Sequence, residues 1–179
     1  MDKNNFFFKT IEVPEYDSIL AELQSYCLHN MPNDGSQFSH INKDGLLANS
    51  PQLKAWLANS NLDLRVCALI RTPPQNKKVD PHTDTQRNDL ALNFPMRNCT
   101  DCWTSFYKLS RGTKQEQVLP NGLTYTTFSE DAIIDEVDKF HLTTATLINT
   151  KQLHQVWNPT NEMRISVSLR FVRDPWELV

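Results

Sequence analysis

From about residue 64 onward the chain is written in short apolar or alternating runs, each closed by turn-forming residues, with no amphipathic helix required between them. Such runs are consecutive strands. They cover Leu64 to Arg71, Lys78 to Asp84, Leu90 to Arg97, Trp103 to Leu109, Leu123 to Phe128, Ala145 to Asn149, Leu153 to Trp157 and Arg164 to Val172. Glu130 to His141 fits a short helix or a strand equally well. A parallel βαβ sheet needs a crossover of a dozen residues or more, usually a helix, so this spacing excludes it and predicts a sandwich, barrel or jelly roll.

The first 62 residues have a different character. Pro14 to Asn30 carries Ile19, Leu20, Leu23, Tyr26 and Cys27 at helical spacing, with Pro14 suited to a first turn. A second helix is predicted from Pro51 to about Ala58, capped by Ser50 and burying Leu53, Trp56 and Leu57, with a polar loop between the two helices. No repeat, low-complexity tract or linker interrupts the sequence. The expectation is one domain over 1–179, with helical support in 1–62 and a β core in 63–173.

Composition limits what such a chain can bind. The 18 basic and 21 acidic residues leave a net charge of −3, which offers no basic field for duplex nucleic acid or anionic lipid. The longest apolar run, Val66 to Ile70, is far short of the roughly 20 residues that span a bilayer. Residues 1–9 have neither a basic n-region nor a long apolar h-region, so the expectation is a cytoplasmic protein with reduced thiols. Cys99 and Cys102 form a C-x-x-C pair, but no second ligand pair for structural zinc accompanies them, and no helix opens at Cys99 for thioredoxin-like chemistry.

The candidate chemistry lies at strand ends. Positions i and i+2 of an extended chain point the same way, so His82 and Asp84 can converge on one metal ion. A lone His-x-Asp is a common coincidence. Two further strands add to it. His154 opens the run Leu153 to Trp157, and Arg164 and Ser166 lie on one face of the last strand, where Ser168 and Arg170 continue the polar side opposite Ile165, Val167, Leu169 and Phe171. That polar side suits either solvent or the mouth of a barrel. The turn Asn158-Pro159-Thr160-Asn161 predicts that the last two strands pair as an antiparallel hairpin, bringing His154 and Arg164 together.

The order His-x-Asp, distal His, then Arg-x-Ser ten residues on resembles the iron(II)- and 2-oxoglutarate-dependent dioxygenases, over about Leu64 to Phe171. The resemblance implies a mainly β fold, a double-stranded β-helix or distorted jelly roll, with the N-terminal helices packed against it. It implies His82, Asp84 and His154 as iron ligands and Arg164 and Ser166 as the grip on the far carboxylate of 2-oxoglutarate, with dioxygen as oxidant and succinate and CO2 released. The segment from His82 through Asn93 to Pro95, with the distal His-Gln-Val-Trp-Asn, is similar to the aspartyl/asparaginyl β-hydroxylase branch, in which the residue at the place of Asn93 contacts 2-oxoglutarate and is usually His.

Two imidazoles and one carboxylate on one face of a ferrous ion leave three positions open, the arrangement of non-haem oxygenases. The same donors also hold zinc. The competing classes are a non-catalytic metal-binding jelly-roll module and a cupin-type metalloenzyme. A purely structural metal needs no guanidinium ten residues past its last ligand, and cupin-type sites usually draw two His from one His-x-His run where this chain offers His-x-Asp. The substrate class stays open among a peptide side chain, an amino acid and another small metabolite. The N-terminal helices and the Arg111 to Gly122 loop are the expected sources of specificity. His29, His40 and His141 are expected at the surface or hydrogen-bonded, Arg87 and Arg97 either in solvent or against an acidic substrate, and Trp103, Phe106 and Tyr107 either in the core or along the pocket wall.

Overall fold

The computed structural model describes residues 6–75, 81–84, 89–118 and 124–178. Its elements in chain order are β1 (Phe8–Thr10), α1 (Tyr16–His29), β2 (Phe38–Ile41), α2 (Lys43–Asn49), α3 (Pro51–Asn59), β3 (Leu64–Thr72), β4 (Leu90–Arg97), β5 (Trp103–Arg111), β6 (Lys114–Val118), β7 (Thr124–Phe128), β8 (Ile133–His141), β9 (Thr146–Asn149), β10 (Leu153–Trp157) and β11 (Arg164–Phe171). A larger antiparallel sheet has the order β1-β9-β4-β11-β3-β2, and a smaller one has the order β10-β5-β8. The segment holding His82 and Asp84 adds itself to the smaller sheet, because His82 and His154 exchange both backbone N–H···O=C bonds at 2.9 Å. The predicted run from Lys78 is described only from residue 81.

The chain therefore passes repeatedly between the two sheets. β3, β4, β9 and β11 lie in the larger one, and the 82–84 segment, β5, β8 and β10 lie in the smaller. This winding is the double-stranded β-helix. The β6–β7 hairpin is inserted between β5 and β8.

Alternation along β11 explains how the layers assemble. Ile165, Val167, Leu169 and Phe171 join Leu69, Leu92, Phe94 and Leu147 in one apolar cluster, which also holds Ile19, Leu23 and Cys27 of α1 and Leu53, Trp56 and Leu57 of α3. The helices thus cover the outer face of the larger sheet. The opposite face of β11 carries Arg164, Ser166, Ser168 and Arg170, all buried, and looks toward the smaller sheet. A second cluster, of Cys99, Phe106, Phe140, Leu142 and Ile148 with Phe7 and Phe8 packed on it, closes the space between the sheets at one side.

Four expectations are corrected. The stretch between the two predicted helices is not merely a polar loop, since it contains β2 and α2. The short helix escapes pattern analysis because it has seven residues and an interior glycine. A Cβ at Gly45 would sit 2.0 Å from the Tyr26 hydroxyl, so any larger residue there obliges the Tyr26 ring to move. Ser50 does not cap α3. Glu22 of α1 reaches across to accept from the Gln52 and Leu53 N–H groups at 3.0 Å each, which ties the start of α3 to α1. The segment from Arg111 is not simply a loop, since β6 occupies Lys114–Val118, while residues 119–122 lie outside the described ones.

The fourth correction concerns the last two strands, which do not pair with each other. Both edges of each are already taken: β10 sits between β5 and the His82 segment, and β11 sits between β3 and β4. The turn at 158–161 therefore carries the chain from one sheet to the other. Asn158, buried, fixes that corner. Its Nδ2 donates to the Thr72, Pro73 and Glu162 carbonyls at 2.7–3.1 Å, and its Oδ1 accepts from the Thr160 N–H and hydroxyl and from the Cys102 thiol. Asn158→Ala leaves several of these buried groups unpaired and is expected to lower unfolding stability by about 3 kcal/mol, measured by urea denaturation.

Candidate metal centre

The period-two geometry of an extended chain sends His82 and Asp84 to the same face of their segment, and bridge pairing with His154 turns the three side chains toward one point. One donor atom from each of His82, Asp84 and His154 lies within 4.8 Å of the others, and the two imidazole centroids are 4.7 Å apart. This is the one such cluster among the described residues. Asp84 is anchored through its backbone too: its N–H donates to the Thr150 carbonyl, just ahead of β10, at 2.9 Å.

The tautomer of His154 follows from its surroundings. Its Nδ1 lies 2.9 Å from the Gln152 carbonyl, which can only accept, so Nδ1 carries the proton and Nε2 keeps its lone pair. Burial, and then the neighbouring His82, pull the His154 imidazole down to about 4. A neutral, buried imidazole beside a second imidazole and a carboxylate makes a donor set that could hold a metal ion. Burial alone would raise the Asp84 carboxyl, but His154, Arg170 and His82 outweigh it and hold Asp84 below its ordinary value. Since His154 is itself neutral at neutral pH, the permanent positive charge beside Asp84 there is that of Arg170, with which it forms an ion pair. The donor set therefore fits a divalent ion of the iron or zinc kind.

The other predicted residues lie on the inner face of the larger sheet. Arg164 is 3% exposed and donates from Nη1 to the Ser166 hydroxyl at 3.2 Å, while its Nε has no partner. Burial pulls the guanidinium down from its ordinary value, yet a guanidinium stays charged in a protein, and no carboxylate among the described residues stands in ion-pair contact with it. Asn93, on β4 opposite Ser168 of β11, is buried with Oδ1 unpaired. A half-turn of that amide presents Nδ2 to an anion instead. The cluster of His82, Asp84 and His154 is thus brought together, and Arg164, Ser166 and Asn93 share a neighbouring polar surface. The guanidinium in direct contact with this cluster is that of Arg170, on the polar face of β11, a partner that alternation along the strand does not reveal.

The remaining candidates sort by face. Phe106 lies inside, 6.2 Å from the His154 ring, whereas Trp103 and Tyr107 are on the other face of β5, where the Trp157 indole donates to the Tyr107 hydroxyl. Cys99 and Cys102 are buried thiols that donate to backbone carbonyls and to Asn158, and burial pushes Cys102 up to about 11, so it stays protonated. His29, His40, His141 and Arg97 are exposed, and His141 is hydrogen-bonded to the Thr100 carbonyl. Arg87 lies outside the described residues. No helix among them is long and apolar enough to cross a membrane.

No protein-family model matches the sequence, and no curated protein matches it. Solved structures do. The non-heme alpha-ketoglutarate-dependent carbocyclase SnoK of nogalamycin biosynthesis superposes with a TM-score of 0.52 at 8% identity, covering 94% of this chain and 80% of that one. The likeness is one of fold. AviO1 from Streptomyces viridochromogenes Tue57 gives 0.48 at 13% identity over 95% and 90% of the two chains, and a Pseudomonas putida prolyl-4-hydroxylase gives 0.45 at 16% over 97% and 96%. The architecture shared with SnoK agrees with the two-sheet winding described above and carries no assignment to a branch.

The depressed His154 titration has a consequence for stability. As pH falls, the unfolded chain takes up the proton near 6.5 and the folded one only near about 4, so stability present above 6.5 is lost progressively across that window. In metal-free protein the melting temperature is expected to fall from pH 7 to pH 4, and His154→Gln, which cannot titrate, should flatten part of that descent in a pH series of thermal melts.

Proposed function

We propose that the chain is an iron(II)- and 2-oxoglutarate-dependent oxygenase that hydroxylates a C–H bond of a peptide side chain, an amino acid or another small metabolite. The observation that carries this is the pairing of two features in one interior: a His-Asp-His donor cluster, and a buried guanidinium on the facing strand whose Nε has no partner. A structural metal site has no use for the second feature. A buried charge without a counter-charge is costly, and a carboxylate ligand would relieve it.

In this proposal His82 Nε2, His154 Nε2 and Asp84 hold the iron. Iron(II) bound there would activate dioxygen, the four-electron oxidant, with 2-oxoglutarate giving up two electrons as it becomes succinate and CO2 and the substrate C–H bond giving up the other two as it becomes C–OH. Arg164 takes the distal carboxylate of the cosubstrate in a two-pronged, charge-assisted contact that Lys reproduces less well. Ser166 adds a hydroxyl donor from the same strand face, and Asn93 offers an amide from the adjacent strand. Phe106 and its aromatic neighbours keep the ligand cluster dry on the side of β5. The β6–β7 hairpin touches the ligand segment, with the Thr83 and Thr126 hydroxyls 2.8 Å apart, and that puts it in position to shape substrate entry.

Purified protein given ferrous iron and 2-oxoglutarate under nitrogen is expected to develop the weak visible charge-transfer band of the chelate. Absence of a band at saturating ligand overturns the proposal. Arg164→Ala should raise the 2-oxoglutarate concentration needed for that band at least tenfold while leaving metal affinity unchanged, and an unshifted requirement removes Arg164 from the cosubstrate site. Succinate release screened across amino-acid and peptide libraries then identifies the substrate class.

A further inference from the structure

β11 carries two buried arginines on its inner face, and only one of them has a carboxylate among the described residues. Arg170 Nη2 forms an ion pair with Asp84 Oδ2, and its Nη1 donates to the Thr150 hydroxyl at 3.1 Å. Thr150 is buried and held in turn, with its N–H and hydroxyl both donating to the Asp89 carbonyl at 2.8 and 3.1 Å. The Thr150 carbonyl accepts the Asp84 N–H. A closed ring therefore runs from the Asp84 backbone through Thr150 to Arg170 and back to the Asp84 carboxylate. The other carboxylate oxygen, Oδ1, is the one that faces His82, 3.8 Å from its Nε2.

We propose that Arg170 is a positioning residue for the metal centre: by engaging Oδ2 it presents only Oδ1 of Asp84 to the metal and fixes the carboxylate rotamer before metal arrives. The consequence is a carboxylate that ligates through one oxygen, so that three coordination positions stay open instead of two. Asp84 is part-exposed, and Arg170 Nη2 is the hydrogen-bond donor that the structure places on its carboxylate. The two arginines thereby divide the work along one strand, Arg170 serving the protein's own carboxylate and Arg164 that of the cosubstrate. This inference rests on the metal centre of the preceding section.

The test uses Co(II) alone as probe, titrated anaerobically into the full chain and followed by its d–d absorption, with circular dichroism to certify folding. Loss of a group that orients a metal ligand typically weakens metal binding about 10–100-fold, and Arg170→Met is expected to fall in that range with an altered band intensity. Arg170→Lys should recover part of the loss. In an Asp84→Asn background the Arg170→Met change should have no further effect on Co(II) affinity, which a merely structural role would not produce. Should Arg170→Met fail to fold, Thr150→Val, which removes one hydroxyl from the ring, carries the test and should weaken Co(II) binding several-fold. Wild-type affinity in a folded Arg170→Met protein, or in Thr150→Val where that variant stands in, overturns the role of Arg170 alone. Absence of Co(II) binding by the wild-type chain overturns the metal centre itself.

Discussion

Two backbone hydrogen bonds, exchanged between His82 and His154, are the contact on which the site depends. They join a short segment to the free edge of β10 and oppose two residues far apart in sequence, whose side chains then share one face. Period-two alternation delivers Asp84 to the same face without further help. The donor cluster is thus assembled by the sheet, before any ion is bound, and its geometry inherits the rigidity of the ladder. The bond from the Asp84 N–H to the Thr150 carbonyl adds a second tie, so Asp84 is anchored at its backbone as well as through Arg170.

Electrostatics then separate two buried guanidiniums that sequence places in equivalent settings. Arg170 is neutralised within the protein by Asp84. Arg164 keeps a hydroxyl and two nearby thiols as company, none of which supplies negative charge while protonated. Leaving a charge in such a place works against folding, and the helix-covered apolar face behind β11 is what offsets it. The interior is therefore stabilised from outside by burial of Val167, Leu169 and Phe171, while Arg164, Ser166 and Asn93 give its inner side a polar lining.

Much of this was legible in the residues. β4 and β10 are found at their predicted bounds, because turn-forming residues close each run on both sides. The polar face of β11 was correctly separated from its apolar face, since alternation alone decides it. Pairing was harder. A turn such as Asn158-Pro159-Thr160-Asn161 announces a change of direction but not whether the next strand returns to the same sheet, and that depends on which edges other strands have already occupied. The Glu22 cap and the Asp84–Arg170 ion pair are long-range contacts with no local signature, and β2 and α2 are too short for periodicity to reveal.

The strict two-sidedness of β11 also governs how this protein can change over time. Every second side chain belongs to the helix-backed layer and every other one to the interior, so losing or gaining one residue within the strand swaps the two sets beyond that point. Arg170 would be driven in among leucines while Leu169 took its place beside Asp84. Divergence along this strand is accordingly restricted to exchanges of one side chain for another, and changes in length must accumulate at its ends, in the corner held by Asn158 or beyond Phe171.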